Sequence, residues 1–236
     1  FHPPVPPAAV DAPFIARGLG LIVNHACAWI AGNVTDYFSG RVCELCLRIT
    51  GERNDAALVE SRPPEGDLCD RNPMDFGPVV ATERFVALLS PSERDAVELR
   101  PCVRSARARR KVYEVIPKVI VPKVPVLGIP RPALRCGACG NTFFRNELPS
   151  SDMRTFIADS AIDADVPALF GVGSSQHLQL ATTFTRATEL AGHPHARGAG
   201  ATRLGTVPPD RIDNNPAIEV RNEPWQFGLP KPLRPR

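Results

Sequence analysis

Two cysteine pairs of identical spacing constrain this chain more than any other feature: "CELC" carries Cys43 and Cys46, and "CGACG" carries Cys136 and Cys139. A C-x-x-C turn sets two thiolates on one side of a tetrahedron, and zinc takes four such ligands. Gly137 and Gly140 stand where the second turn needs freedom to aim backbone amides at the sulfurs. The first turn has Leu47 in the place that Gly140 fills in the second. The two pairs are separated by far more chain than the halves of a zinc ribbon. Closing so long a loop costs little more than closing a short one, because the entropy of closure grows only logarithmically. Three readings stay open at this point: one zinc shared by all four cysteines, reduced and half-buried thiols, or redox-active pairs. A redox C-x-x-C opens a helix in a thioredoxin-like pattern, and neither pair here does. Four cysteine ligands leave no open position for water, so a zinc held this way is structural and supplies no Lewis-acid catalysis.

The remaining cysteines, Cys27, Cys69 and Cys102, are scattered, which makes seven in all. An odd count in a chain of 236 residues does not suit a dense secreted disulfide framework. The expected compartment is therefore a reducing, bacterial-type cytoplasm. A net charge of +3 is close to neutral; it argues for no particular partner, and not for a dedicated nucleic-acid binder. The 26 prolines, about twice the usual share, predict short strands, short helices and much ordered loop. No uninterrupted apolar run is long enough to span a membrane. The nearest approach, residues 14 to 32, carries Arg17, Asn24 and His25 and is expected to form a buried helix or a strand pair.

Along the chain, residues 1 to 12 predict an extended arm and 13 to 204 a single α+β domain. After Cys46 a polar, turn-rich span suits a solvated loop, or a short helix over 54 to 60. Val79 and Val80 then read as a short strand, and Thr82 as the N-cap of a helix with Glu83 in its first turn. Phe85, Val86, Leu88 and Leu89 supply that helix with an apolar face, and Pro91 follows its end. Residues 96 to 101 alternate as a strand. Pro117, Pro122 and Pro125 push the following basic segment towards an edge strand or an extended crossing. Past Cys139 the order repeats: a polar span, the apolar run "ALFGVG", and a helix-like stretch over 176 to 192 closed by Gly192. "ATERFVALL" at 81 and "ATTFTRATEL" at 181 share a register of small, aromatic and apolar residues. The domain is thus expected to contain two similar halves, about 13 to 132 and 133 to 204, joined by a zinc-ribbon-like four-cysteine site. Residues 205 to 236 read as an irregular, Pro-rich tail.

No residue reads as catalytic. His193 and His195 have metal-binding spacing, but with no thiol or carboxylate beside them a flexible polar loop is the simpler account. The "RSARARRK" run at 104 to 111 offers phosphate contacts, yet no aromatic residue interleaves it, which favours a solvated strand face. Glu83 and Arg84 are explained by a helix start, and "GVGSS" lacks the lysine of a phosphate loop.

The layout as a whole resembles the double-CXXCG motif proteins, best known from myxobacteria. The likeness rests on the first pair, on "FGPVVATERFVALL", on the basic strand with "VPVLG", and on "RCGACG" with its second strand and helix. It covers roughly residues 38 to 207. Carried over, it marks Cys43 and Cys46 as one half of the site, and Cys136 and Cys139 with Gly140 as the other; Leu47 departs from the family's glycine. The resemblance implies a non-enzymatic immunity protein that blocks a cognate toxin by direct contact, with one structural zinc per chain. The alternative is a zinc-ribbon accessory protein that binds nucleic acid through 104 to 111.

Overall fold

The structure is a computed structural model that describes residues 18–24, 26–39, 43–45, 51–70, 78–104, 110–124, 134–139, 142–143, 155–162, 167–174, 177–212 and 218–220. The expected arm over 1 to 12, the centre of the basic run, and Cys46, Leu47 and Gly140 lie outside the described residues. The described part is a mixed α+β fold, mostly short strands with a few short helices, as the proline content predicts.

Its largest sheet has six strands: β1 (Leu19–Asn24), β8 (Ile120–Val121), β11 (Thr155–Ala158), β12 (Phe170–Ser174), β13 (His177–Thr183) and β14 (Ala199–Val207). They lie in the order β11–β14–β1–β13–β12–β8. Just beyond β8, at one edge, Lys123 bridges to Ile157 of β11, at the other edge. The Val124 N–H donates to the Phe156 carbonyl at 2.9 Å in the same contact. The sheet therefore curls into a barrel whose two edges meet through this single bridge. Strand alternation fills the interior: Leu21, Val121, Ile157, Phe170, Val172, Ala181 and Leu204, drawn from all six strands, form one buried cluster. Lys123 enters beside them and donates to Gln179 at 2.9 Å. Burial holds its ammonium below the usual lysine range, with the charge of Asp70 opposing.

The opposite face of these strands carries Ile22, Leu178 and Leu180, which join a second core with the helices. There the helix α4 (Phe184–Ala191) packs across β1 and β14. Gly20 permits this approach, since a Cβ on it would lie 2.8 Å from the Phe184 Cα.

A second sheet is antiparallel, in the order β4 (Leu68–Cys69), β5 (Val80–Thr82), β7 (Val112–Pro117) and β6 (Val97–Pro101). β5 runs directly into α2 (Glu83–Val86), as β13 runs into α4. Thr82 is the N-cap of α2 by position, but its hydroxyl bonds Asp67 Oδ1 at 2.9 Å rather than capping the helix. Pro91 follows the end of α2, as expected, and also opens α3 (Pro91–Asp95), where Ser90 and Glu93 form a reciprocal capping box.

That box meets the second pass. Arg186 of α4 donates to both Glu93 oxygens at 2.8 and 2.9 Å, and to the Leu88 carbonyl at 2.7 Å. Burial alone pushes the Glu93 carboxyl up, but hydrogen bonds from Arg186 and Ser90 outweigh it and hold the group below the usual range. Its contribution is therefore present above the unfolded carboxylate range and lost as pH falls through the folded value. Arg186→Ala is expected to cost about 2–3 kcal/mol at neutral pH, somewhat under the range for fully buried pairs because Arg186 is part-exposed. Denaturant titrations at neutral and acid pH check this; a loss that persists undiminished in acid contradicts it.

Residues 54 to 60 take the loop of the two expected alternatives, and lead into β3 (Glu60–Arg62), which pairs with β2 (Trp29–Ile30). Four expectations change. Residues 177 to 183 form strand β13, not the start of a helix: His177, Leu178, Gln179 and Leu180 alternate as a strand, and this short run merges directly into the helical residues that follow Thr183. β7 is central in its sheet, because Pro117 falls at its end and withholds no ladder hydrogen bond from the middle. The expected tail begins inside β14, where Thr206 and Val207 are wholly buried. The six-stranded sheet also crosses the expected division near 132, since β1 and β8 precede it and the other strands follow.

Candidate metal centre

A small sheet presents the second cysteine pair. β9 (Leu134–Cys136) pairs antiparallel with β10 (Thr142–Phe143), and β15 (Ile218–Val220) adds parallel to β9 with Val220 opposite Cys136. Cys136 is thus the last residue of β9, and a turn over 137 to 139 carries Cys139. Cys43 arrives on a different loop. After α1 (Val34–Tyr37), the Ser39 N–H donates to the Glu52 carbonyl and the Asn54 N–H to the Tyr37 carbonyl, both at 2.9 Å. These bonds close the base of a loop whose intervening chain includes Cys43.

The loop and the turn meet. The Sγ atoms of Cys43, Cys136 and Cys139 all lie within 4.8 Å of one another, and Cys43 to Cys136 is 3.7 Å. Cys136 is fully buried, Cys43 nearly so, and Cys139 half-buried, with Leu45 packed alongside. A disulfide needs about 2.0 Å, so this pair is not bonded. Zinc–sulfur bonds of about 2.3 Å give a tetrahedron whose sulfur–sulfur edge is about 3.8 Å. The observed separation matches that edge, and thiolate donors are what zinc prefers. Among the described residues this is the sole group of three close-set metal-ligating side chains. Three of the four expected ligands are therefore together, and the fourth, Cys46, lies outside the described residues.

The other cysteines stay apart from it. Burial pushes the Cys69 thiol up to about 12, and the Cys102 thiol likewise to about 12. Both belong to an apolar cluster with Ala28, Ile30 and Leu58 and behave as small hydrophobes.

The remaining candidates resolve into structure. His193 and His195 are exposed with ring centroids 5.3 Å apart, and the His195 N–H donates to His193 Nδ1 at 3.1 Å. Their segment is anchored rather than a flexible loop: Ala196 is buried, and the Arg197 side chain donates to the Glu65 carbonyl at 2.6 Å. Glu83 and Arg84 are exposed at the start of α2. "GVGS" forms strand β12, so it is no phosphate loop. In the basic run, Arg110 lies 3.6 Å from Asp67 and is half-exposed.

Sequence reading missed Glu60. It is 3% exposed on β3, and neither carboxylate oxygen has a hydrogen-bond partner. Burial pushes its carboxyl up, with the charge of Arg104 opposing. Its pairing opposite Ile30 sets it facing an apolar cluster, and no local pattern announces that. A raised carboxyl favours the fold fully below the unfolded value, about 4.3, and loses that contribution as pH rises through the folded value. Glu60→Gln is accordingly expected to be more stable than the parent at neutral pH, because it removes a charge that burial disfavours while keeping the shape of the side chain. The gain shrinks towards pH 4; unfolding curves across pH 4 to 8 read it, and a gain independent of pH tells against this account.

Comparison of the chain with protein-family models, with curated proteins and with solved structures finds no match. Among the described residues no helix is long and apolar enough to cross a membrane.

Proposed function

We propose that the chain is a non-enzymatic, immunity-type binding protein that neutralises a cognate bacterial toxin by direct contact. In this reading one structural zinc, held by Cys43, Cys46, Cys136 and Cys139, clamps the Cys43 loop to the small sheet that carries Cys136 and Cys139. The observation that carries the metal half of the reading is the 3.7 Å approach of Cys43 to Cys136 across 93 residues of sequence. Bound there, the ion would supply folding free energy and no reaction chemistry. The toxin half rests on the likeness of the cysteine pairs and the "ATERF" helix to double-CXXCG proteins.

Two measurements test the halves separately. Native mass spectrometry of the reduced protein is expected to find one zinc per chain. Co-expression with the product of the adjacent toxin gene is expected to rescue growth and yield a 1:1 complex. Toxicity that co-expression leaves unchanged removes the immunity reading whatever the zinc content.

A further inference from the structure

We propose that the cysteine cluster is also a site of reversible thiol oxidation, in which half-exposed Cys139 is attacked by a peroxide and a buried neighbour, Cys43 or Cys136, resolves it as a disulfide. The inference takes the metal reading as its starting state, in which the reduced cluster holds zinc and the oxidised one does not.

Three observations support it. The three sulfurs lie within 4.8 Å of one another, so a disulfide needs only a small closure of the turn. Exposure is graded within the cluster: Cys139 is half-buried, while Cys43 and Cys136 are 8% and 0% exposed. One sulfur thus meets the oxidant and two wait behind it, the arrangement of an attacked thiol with a resolving thiol. Burial holds Cys69 and Cys102 as thiols, which peroxide oxidises far more slowly than thiolates, and Cys27, although half-buried like Cys139, lies outside the three-sulfur cluster.

The chemistry balances with one peroxide. The Cys139 thiolate attacks a peroxide oxygen, the O–O bond breaks, hydroxide leaves and a sulfenic acid forms. The buried sulfur, a thiolate in the zinc-loaded state, then attacks the Cys139 sulfur, the S–O bond breaks, and the hydroxyl departs as hydroxide. Two thiolates lose two electrons in total, and the two hydroxides take up two solvent protons to become two waters. A disulfide sulfur is no ligand for zinc, so the ion leaves with the same step.

The test uses the full-length, reduced, zinc-loaded protein and hydrogen peroxide. Free zinc is followed with a chromogenic chelator, and non-reducing peptide maps locate the crosslink. The expected result is a Cys139 disulfide to Cys43 or Cys136, zinc released in step with it, and both changes reversed by dithiothreitol with added zinc. A disulfide between any other cysteines, or direct passage of Cys139 to sulfinic acid, overturns the proposal. So does zinc-loaded protein whose cluster stays reduced, a result that leaves the metal reading intact. Reduced protein that never holds zinc yet forms the Cys139 disulfide removes the metal reading and keeps the oxidation site.

Discussion

Replacing Cys136 with serine is expected to abolish stoichiometric zinc and to destabilise the reduced protein more than any single apolar truncation. The reasons converge on one atom. Cys136 is fully buried at the end of β9, its sulfur lies 3.7 Å from Cys43, and β10 and β15 flank its strand on both sides. A serine hydroxyl is not ionised at neutral pH and is too hard a donor to replace a thiolate on zinc. The metal contributes on the order of 10 kcal/mol of apparent binding energy in small zinc domains, all of it folding energy where the site does not exist unfolded. Losing one of four ligands is therefore expected to cost on the order of several kcal/mol, a drop in melting temperature of more than about 10 °C for a domain of this size. Chelator treatment should bring the parent down to the same level. Cys102→Ala is the control, because that thiol belongs to an apolar cluster away from the metal-ligating group. It should keep its zinc and lose only about 1–2 kcal/mol for the lost packing. A Cys136→Ser protein that keeps both its zinc and its melting temperature would falsify the structural-metal reading.

What could be read from the sequence was local in its physics. The turn geometry of "CGACG" needs only residues 136 to 140, and the strand-to-helix transition at Thr82 needs only the run that follows it. Gly192 closes α4 where a helix-terminating glycine was expected, although its φ of −78° is helical rather than left-handed. One local reading failed: β13 reads as helix because its short alternation, His177 to Leu180, runs without a break into α4, so that one continuous segment of helix-compatible residues spans both elements. Other failures were long-range. Barrel closure by Lys123 and Ile157 joins residues with no related pattern. The cysteine site lies between these extremes. The spacing of each pair is local, but their meeting depends on the loop closed by Ser39 and Asn54, which neither pair encodes.

That loop closure leads to the second large expected effect, at Arg53. The guanidinium donates to the two Glu114 oxygens at 2.8 and 2.6 Å, in the bidentate geometry only arginine offers. It also donates to the Tyr37, Asn54 and Ala56 carbonyls, and lies 5.6 Å from the Tyr37 ring centroid. The side chains are 12% and 4% exposed, so solvent screens the pair little. Arg53 thereby locks the base of the Cys43 loop to β7, the central strand of the second sheet. Arg53→Ala leaves a buried carboxylate uncompensated and is expected to cost about 3–5 kcal/mol. Arg53→Lys keeps the charge but cannot form the fork, and should recover less than half of the loss. Both variants retain all four expected metal ligands, so zinc should remain stoichiometric at saturating metal while the unfolding midpoint falls. Paired measurements of zinc content and denaturant midpoint separate this effect from the loss of a ligand at Cys136. An Arg53→Ala protein within about 1 kcal/mol of the parent, the range of exposed pairs, would mean that water reaches Glu114 and that the loop is held by other contacts.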